Sequence, residues 1–200
     1  MNVESIVKKS SLNLANRITM GRILLVPIFV VLILSYREAK ELEGEWLRIT
    51  ALVIFGLAII TDAVDGFIAR TRNQKTTLGT FLDPIADKLL LISSIILLTL
   101  PNSSLGYHLP FWFAVLAISR DAFIVLGAIL IHMLNGSVKV VPNPLGKMTT
   151  FLQMISIAWI LLKFPGPQCW VWAAALATFS SAIGYFIFGS RQLNGSIKIQ

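Results

Sequence analysis

The chain has 200 residues, of which 56% are hydrophobic and only 14% are charged. Soluble domains carry roughly 25% charged residues, so the polar surface here is too small to cover a water-soluble globule. The net charge of +7 is compatible with nucleic acid, an anionic membrane surface or an anionic substrate as the partner. Because the basic residues are scattered among apolar segments and form no Lys/Arg-rich arm, nucleic acid is not expected to bind.

Six segments are long and apolar enough to cross a bilayer, which requires about 20 mostly apolar residues. In chain order they cover residues 18–36, 47–68, 80–100, 110–134, 145–164 and 169–188. The mixed apolar and basic residues at 3–10 favour a short interfacial helix ahead of the first span. Because the connections are short, we predict an all-α integral membrane bundle of six transmembrane helices, forming a single domain over residues 1–200.

The distribution of basic residues predicts how these spans are oriented, since cytoplasmic loops are rich in Lys and Arg. With six spans, the N-terminal lead, the second-to-third connection, the fourth-to-fifth connection and the tail lie on one side. Together they carry Lys8, Lys9, Arg17, Arg70, Arg72, Lys75, Lys139, Lys147, Arg191 and Lys198. We therefore predict a multi-pass protein of the cell (inner) membrane, with both termini in the cytoplasm.

Four aspartates lie in or against the apolar segments, namely Asp62, Asp65, Asp83 and Asp87. A charged side chain at the bilayer centre costs on the order of 3 kcal/mol, so such residues usually have a function. The first two are spaced i, i+3 and the last two i, i+4, so each pair shares one helical face. A short basic connection joins the two segments, which predicts antiparallel neighbours whose acidic faces meet near the cytoplasmic interface. Any one of these aspartates alone could instead be a cap or an interfacial residue.

Four carboxylates facing one another would repel strongly in a low dielectric, so protons or bound cations are needed between them. Oxygen-rich sites suit Mg²⁺, Mn²⁺ or Ca²⁺ rather than the thiolate-preferring metals. Two close ions that share carboxylates can clamp a phosphate during displacement chemistry. The sequence therefore favours divalent cations of this kind, Mg²⁺, Mn²⁺ or Ca²⁺, and a phosphate-bearing substrate at a cytoplasmic active site.

The stretch TDAVDGFIARTRNQKTTLGTFLDPIADK, residues 61–88, resembles the signature of the CDP-alcohol phosphatidyltransferase family, D-x2-D-G-x2-A-R-x8-G-x3-D-x3-D. All its fixed positions are filled, by Asp62, Asp65, Gly66, Ala69, Arg70, Gly79, Asp83 and Asp87. The six-span layout agrees with this family as well, so the resemblance covers nearly the whole chain. The family also suggests a homodimer in the lipid bilayer.

This resemblance implies a mechanism. The first three aspartates of the motif would ligate two divalent ions, and Asp87 would complete the site and act as general base on the acceptor hydroxyl. That oxygen would attack the β-phosphorus of CDP-diacylglycerol and release CMP. The small residues Gly66, Ala69 and Gly79 would leave room for the cytidine end, and Arg70 lies at the cytoplasmic edge, where a phosphate would be.

The acceptor is indicated by NLANRITMGRILLVPIF, residues 13–29, which resembles the opening of the bacterial phosphatidylglycerophosphate synthases of this family. Three residues match their N-x2-T-x2-R pattern, namely Asn16, Thr19 and Arg22. The acceptor implied is glycerol 3-phosphate, a small phosphate-bearing alcohol. Arg120 and Lys147 are the candidates to bind its phosphate, because arginine donors engage phosphate oxygens well. Arg120 equally fits an internal ion pair with its neighbour Asp121.

Three alternatives remain. Synthases of this kind often carry a second arginine two turns after Arg120, and Gly127 stands there instead. Residues 138–153 also resemble the related cardiolipin synthases, whose acceptor is phosphatidylglycerol.

A carboxylate-lined cation transporter would expose its acids to both sides, whereas this acidic cluster lies at one interface beside a basic loop. A structural subunit has no need for clustered aspartates.

Overall fold

The computed structural model describes the backbone of residues 14–39, 41–71, 77–101, 105–135 and 144–196. Six α-helices lie within these ranges, and no strand does. They are α1 (Leu14–Glu38), α2 (Glu41–Thr71), α3 (Thr77–Thr99), α4 (Phe111–Asn135), α5 (Pro144–Leu161) and α6 (Gln168–Ser196). Each helix overlaps one of the six predicted segments, so the all-α prediction is confirmed for this part of the chain. The interfacial helix predicted at residues 3–10 lies outside the described residues.

Two stretches among the described residues are long and apolar enough to cross a membrane. They are Met20–Glu38 in α1 and Gly44–Asp62 in α2, and Lys88–Thr99 in α3 is a shorter apolar helix. Large apolar side chains point outward along the first two helices, including Leu24 and Val53. Contiguous exposed apolar surface of this kind is unfavourable in water. These two helices therefore have the surface of membrane helices.

The chain divides into two compact units, Met1–Leu97 with Asn102–Ser104 and Leu98–Pro101 with Leu105–Gln200. In the first, the N-terminal unit, α1 packs against α2. The rings of Phe29 and Phe55 lie 5.9 Å apart between these helices, and both side chains are buried. Near the connection, a Cβ at Gly44 would lie 3.2 Å from the Tyr36 ring. Glycine at this position therefore lets the tyrosine ring pack directly on the α2 backbone.

In the second, the C-terminal unit, α6 packs against both α4 and α5. Small polar side chains are buried between the helices, including Thr149 and Ser156 on α5 and Thr178 on α6. Each donates its hydroxyl hydrogen to the carbonyl four residues earlier, over 2.6–2.9 Å. The hydroxyls are thus satisfied within their own helices, and their small size permits close helix packing in an apolar surrounding.

Tryptophans gather where α5 ends and where α4 and α6 begin. The rings of Trp112 and Trp172 lie 5.0 Å apart, and those of Trp159 and Trp170 lie 5.6 Å apart. The indole of Trp159 also donates a 3.0 Å hydrogen bond to the Pro165 carbonyl. Aromatic side chains of this type are enriched at membrane–water interfaces. They lie at the helix ends that the charge pattern predicts to be away from the cytoplasm.

The turn after α5 departs from the predicted boundary. The predicted apolar span runs to residue 164, but the helix ends at Leu161. Lys163 has φ 57° and Gly166 has φ 71°, the left-handed conformation that commonly follows a helix end. The apolar run therefore includes a turn, in which the Lys163 amide donates to the Ile160 carbonyl over 2.9 Å and the Phe164 amide donates to the Trp159 carbonyl over 3.2 Å.

Candidate active site

The acidic motif lies on two helices. Its first half, through Arg70, is on α2, and its second half, from Gly79, is on α3. Helix α2 is continuous through both of its aspartates, and α3 continues through Pro84, so each acidic pair shares a helical face as its spacing predicts. The side chains of several predicted site residues lie outside the described set: Asn16, Thr19, Asp65, Gly66, Ala69, Arg70, Gly79, Asp83 and Asp87.

Asp62 is the one motif aspartate whose side chain is described. Its Oδ1 accepts a 2.6 Å charge-assisted hydrogen bond from Nη1 of Arg22 on α1. The arginine side chain is only 1% exposed, whereas that of the aspartate is 43% exposed. A buried arginine in an apolar helix requires a charged or polar partner, and Asp62 provides it. The pair therefore joins the N-x2-T-x2-R segment directly to the acidic motif.

This ion pair changes the expectation for Arg22. The sequence placed it among the substrate-binding residues, and the structure places its guanidinium against a motif carboxylate inside the N-terminal unit. The charge of one of the four motif aspartates is thus balanced by the protein itself, which would reduce the repulsion expected if the four carboxylates meet in a low dielectric. No group of three or more potential metal ligands occurs among the described side chains, a set that leaves out the other three aspartates. The meeting of the two acidic faces stays a prediction.

Arg120 is the second buried arginine, with 6% of its surface exposed. Its Nη1 donates to Oδ1 of Asp121 over 2.6 Å, and its Nη2 donates to the Ser181 hydroxyl over 2.7 Å. The guanidinium carbon also lies 5.4 Å from the centre of the Tyr185 ring, within the range of a cation–π contact. Of the two expectations for Arg120, the internal ion pair with Asp121 is present, and the contacts with Ser181 and Tyr185 link α4 to α6.

Helix α5 approaches this cluster at Gly146. A Cβ there would lie 3.0 Å from Nη2 of Arg120 and 3.0 Å from the Tyr185 hydroxyl. Among the described residues, Nε of the arginine is buried without a hydrogen-bond partner. The next residue, Lys147, is exposed, and Lys139 lies outside the described residues. Arg120 therefore lies where α4, α5 and α6 meet, and a side chain at position 146 would require the ends of the Arg120 and Tyr185 side chains to shift.

Gly146→Ala should destabilise the C-terminal unit because the new methyl group would crowd two polar atoms at once. Overpacking of this kind costs typically about 1–3 kcal/mol, and we expect a lower midpoint of thermal unfolding in detergent. Gly127→Ala on α4 is the matched control, because a Cβ at Gly127 meets nothing within 4 Å and alanine favours helix. Equal thermal midpoints for the two variants would contradict the close approach at Gly146.

Two residues of this cluster were not identified from the sequence. Ser181 and Tyr185 lie one turn apart on α6, so they share a face. Serine and tyrosine are ordinary residues in membrane helices, and nothing in their local sequence marks them. The available signal was indirect: a buried Arg120 has more donors than Asp121 alone can satisfy, so additional partners had to come from another helix.

Comparison with known proteins agrees with the motif. The family model described as CDP-alcohol phosphatidyltransferase matches residues 12–183. The chain is 36% identical over 187 residues to a protein of Bacillus subtilis (strain 168) named CDP-diacylglycerol--glycerol-3-phosphate 3-phosphatidyltransferase, covering 87% of this chain and 93% of that relative. A protein of the same name from Escherichia coli (strain K12) is 35% identical over 169 residues, covering 84% and 85%. Another from Salmonella typhimurium (strain LT2) is 36% identical over the same length.

Proposed function

The chain belongs to the CDP-alcohol phosphatidyltransferase family of enzymes, and from this premise we propose its reaction. It transfers the phosphatidyl group of CDP-diacylglycerol to glycerol 3-phosphate, giving phosphatidylglycerophosphate and CMP for phospholipid synthesis. The observation that carries this proposal is the complete eight-residue motif at residues 62–87, distributed over two helices of one unit. The names and high coverage of the relatives support glycerol 3-phosphate as the acceptor.

The four motif aspartates, Asp62, Asp65, Asp83 and Asp87, would hold divalent cations, two Mg²⁺ or Mn²⁺ ions. Their carboxylate oxygens are the donors that such hard ions prefer. Asp62, the member of this group whose side chain is described, fits a metal site. Its carboxylate is substantially exposed, and only its Oδ1 accepts a hydrogen bond from Arg22. When bound, the ions would neutralise the diphosphate and stabilise charge on the departing phosphate.

The residues of the chain would perform the remaining steps. Asp87 would accept the proton of the acceptor hydroxyl while that oxygen forms a bond to the β-phosphorus of CDP-diacylglycerol. The bond between this phosphorus and the bridging oxygen would break, and CMP would leave with the electron pair. Arg70 would lie beside the phosphates at the end of α2. Gly66, Ala69 and Gly79 would leave space for the cytidine end.

Recognition of the acceptor is proposed for a separate group of residues. Arg120 and Lys147 would bind the phosphate of glycerol 3-phosphate, and Asn16 and Thr19 would contribute polar contacts. Arg22 is proposed with the last two, and its ion pair with Asp62 supports an additional role at the acidic motif. Phosphatidylglycerol, the acceptor of cardiolipin synthases, is the second candidate, because Gly127 stands where a second arginine is common.

The proposed setting is a bilayer. The chain would form one membrane domain of six transmembrane helices, with both termini and the active site facing the cytoplasm, and would assemble as a homodimer. The outward apolar side chains of α1 and α2 support contact with lipid, and the tryptophans of the C-terminal unit support an interfacial position for their helix ends. The acyl chains of the substrate would then remain in lipid during the reaction.

Release of CMP from CDP-diacylglycerol tests this function. The purified full chain, in detergent micelles with Mg²⁺ or Mn²⁺, should release CMP when glycerol 3-phosphate is added. Matched reactions would contain phosphatidylglycerol, serine or inositol phosphate, and further controls would lack acceptor or contain EDTA. Release with glycerol 3-phosphate alone supports the proposal. Release only with phosphatidylglycerol would reassign the chain to cardiolipin synthesis, and no metal-dependent release with any acceptor would contradict the proposed reaction.

A further inference from the structure

The ion pair between Arg22 and Asp62 bears on which metal ions the acidic motif accepts. We propose that Arg22 is a specificity-determining residue that disfavours Ca²⁺ relative to Mn²⁺ and Mg²⁺. It would do so by holding Oδ1 of Asp62, which makes binding of a metal through both oxygens of this carboxylate less favourable. The inference rests on the proposed metal site and adds to it a residue that lies on a different helix and outside the eight-residue motif.

The geometry of the pair supports this role. Nη1 of Arg22 is 2.6 Å from Oδ1 of Asp62, and the arginine side chain is almost completely buried while the aspartate is substantially exposed. The guanidinium therefore approaches the carboxylate from the protein interior, and the exposed part of the aspartate side chain is its open side. Charge-assisted hydrogen bonds of this length are among the stronger ones. A metal ion arriving from the open side would meet an aspartate with one oxygen already engaged.

The two classes of ion respond differently to such an aspartate. Mg²⁺ requires near-ideal octahedral geometry with few protein carboxylates, whereas Ca²⁺ takes six to eight oxygens and accepts both oxygens of one carboxylate. If Oδ1 is held by Arg22, one of its lone pairs is engaged and it is the weaker metal ligand, so Asp62 favours binding through Oδ2 alone, which suits the smaller ion. If Oδ1 is released, the same aspartate can chelate, and Ca²⁺ gains a ligand that Mg²⁺ and Mn²⁺ do not need.

The charge of Arg22 has a separate effect. A positive group beside the site opposes every divalent ion to a similar extent, so removing it would strengthen the binding of Ca²⁺ and Mn²⁺ together. The ratio of the two dissociation constants cancels most of this shared term. A change in the ratio therefore reports how the carboxylate is held, while a change in both constants by the same factor reports charge alone.

The test measures metal binding to the full chain in detergent micelles without substrate. Free Mn²⁺ would be followed by electron paramagnetic resonance, with Ca²⁺ as the competitor, to obtain the ratio of the Ca²⁺ to the Mn²⁺ dissociation constant. We expect Arg22→Gln to lower this ratio about tenfold, the scale on which groups that hold metal ligands act. Arg22→Lys should lower it by a smaller factor, because an ammonium lacks the planar donors that fix one carboxylate oxygen.

Arg48→Gln is the matched control. Arg48 forms an ion pair with Glu45 in the early turns of α2, many residues before the acidic motif, and its loss should leave the ratio at the wild-type value. A wild-type ratio in either folded Arg22 variant would overturn the inference, and a raised ratio would overturn it as well. If Arg22→Gln does not fold, Arg22→Lys alone decides. Absence of Mn²⁺ binding in the wild-type chain would instead contradict the proposed metal site itself.

Discussion

Asp87→Asn should lower kcat by roughly 10²–10⁴-fold, the contribution typical of general acid–base catalysis. An amide has nearly the shape of the carboxylate and keeps an oxygen that can ligate a metal, but it cannot take the proton of the acceptor hydroxyl. We therefore expect Mn²⁺ binding to be weakened far less than turnover. The measurement is steady-state CMP release with saturating glycerol 3-phosphate, alongside Mn²⁺ binding by electron paramagnetic resonance.

Glu45→Gln makes the same kind of chemical change, from acid to amide, away from the acidic motif. Glu45 pairs with Arg48 within α2, so this variant should release CMP at the wild-type rate. Unchanged turnover in Asp87→Asn would remove the general-base assignment. If Mn²⁺ binding and turnover fall together by the same factor, the main contribution of Asp87 is as a ligand.

Arg120→Ala should destabilise the protein by about 3–5 kcal/mol, the usual result of removing one partner of a buried ion pair. The substitution removes the guanidinium that pairs with the Asp121 carboxylate, which is only 15% exposed. It also removes the donor to the Ser181 hydroxyl and the cation–π contact with Tyr185. The measurement is the free energy of unfolding in mixed micelles titrated with a denaturing detergent.

A double variant separates the ion pair from simple loss of packing. Arg120→Leu with Asp121→Leu removes both members of the ion pair together, and it should be more stable than Arg120→Ala, which removes only one of them. Equal stability of the two variants would show that the charge pair is not the cause. In Arg120→Lys, which keeps the charge, a raised KM for glycerol 3-phosphate would support acceptor binding, and an unchanged KM would leave Arg120 with a structural role.

Hydropathy located every helix but not its full length. The second predicted span begins at residue 47, whereas α2 begins at Glu41, and the last predicted span ends at residue 188, whereas α6 continues to Ser196. Apolar composition marks the part of a helix that can lie in lipid. Backbone hydrogen bonds form in polar sequence as well as in apolar sequence, so a helix can extend beyond its apolar part. Hydropathy alone therefore does not locate the ends of a helix.

The acidic motif was visible in the sequence because it depends on spacing along single helices. The contacts made by the two buried arginines were not. Arg22 and Asp62 are separated by 40 positions, and Arg120 and Ser181 by 61. These pairings depend on how each helix is rotated and tilted against its neighbour. Hydropathy and helical periodicity identify the apolar faces of membrane helices poorly when lipid and protein surroundings are equally apolar.

The position of the indoles determines what optical spectroscopy can detect in this protein. Trp46 lies in the early turns of α2, and Asp62 follows on the same helix after more than four further turns, a distance of roughly 24 Å at 1.5 Å per residue. The other four indoles of the chain lie in the aromatic group of the C-terminal unit. Emission from Trp46 is therefore insensitive to local contacts of the Asp62 carboxylate, and a change in the spectrum of that indole on adding a nucleotide would report a rearrangement transmitted along α2.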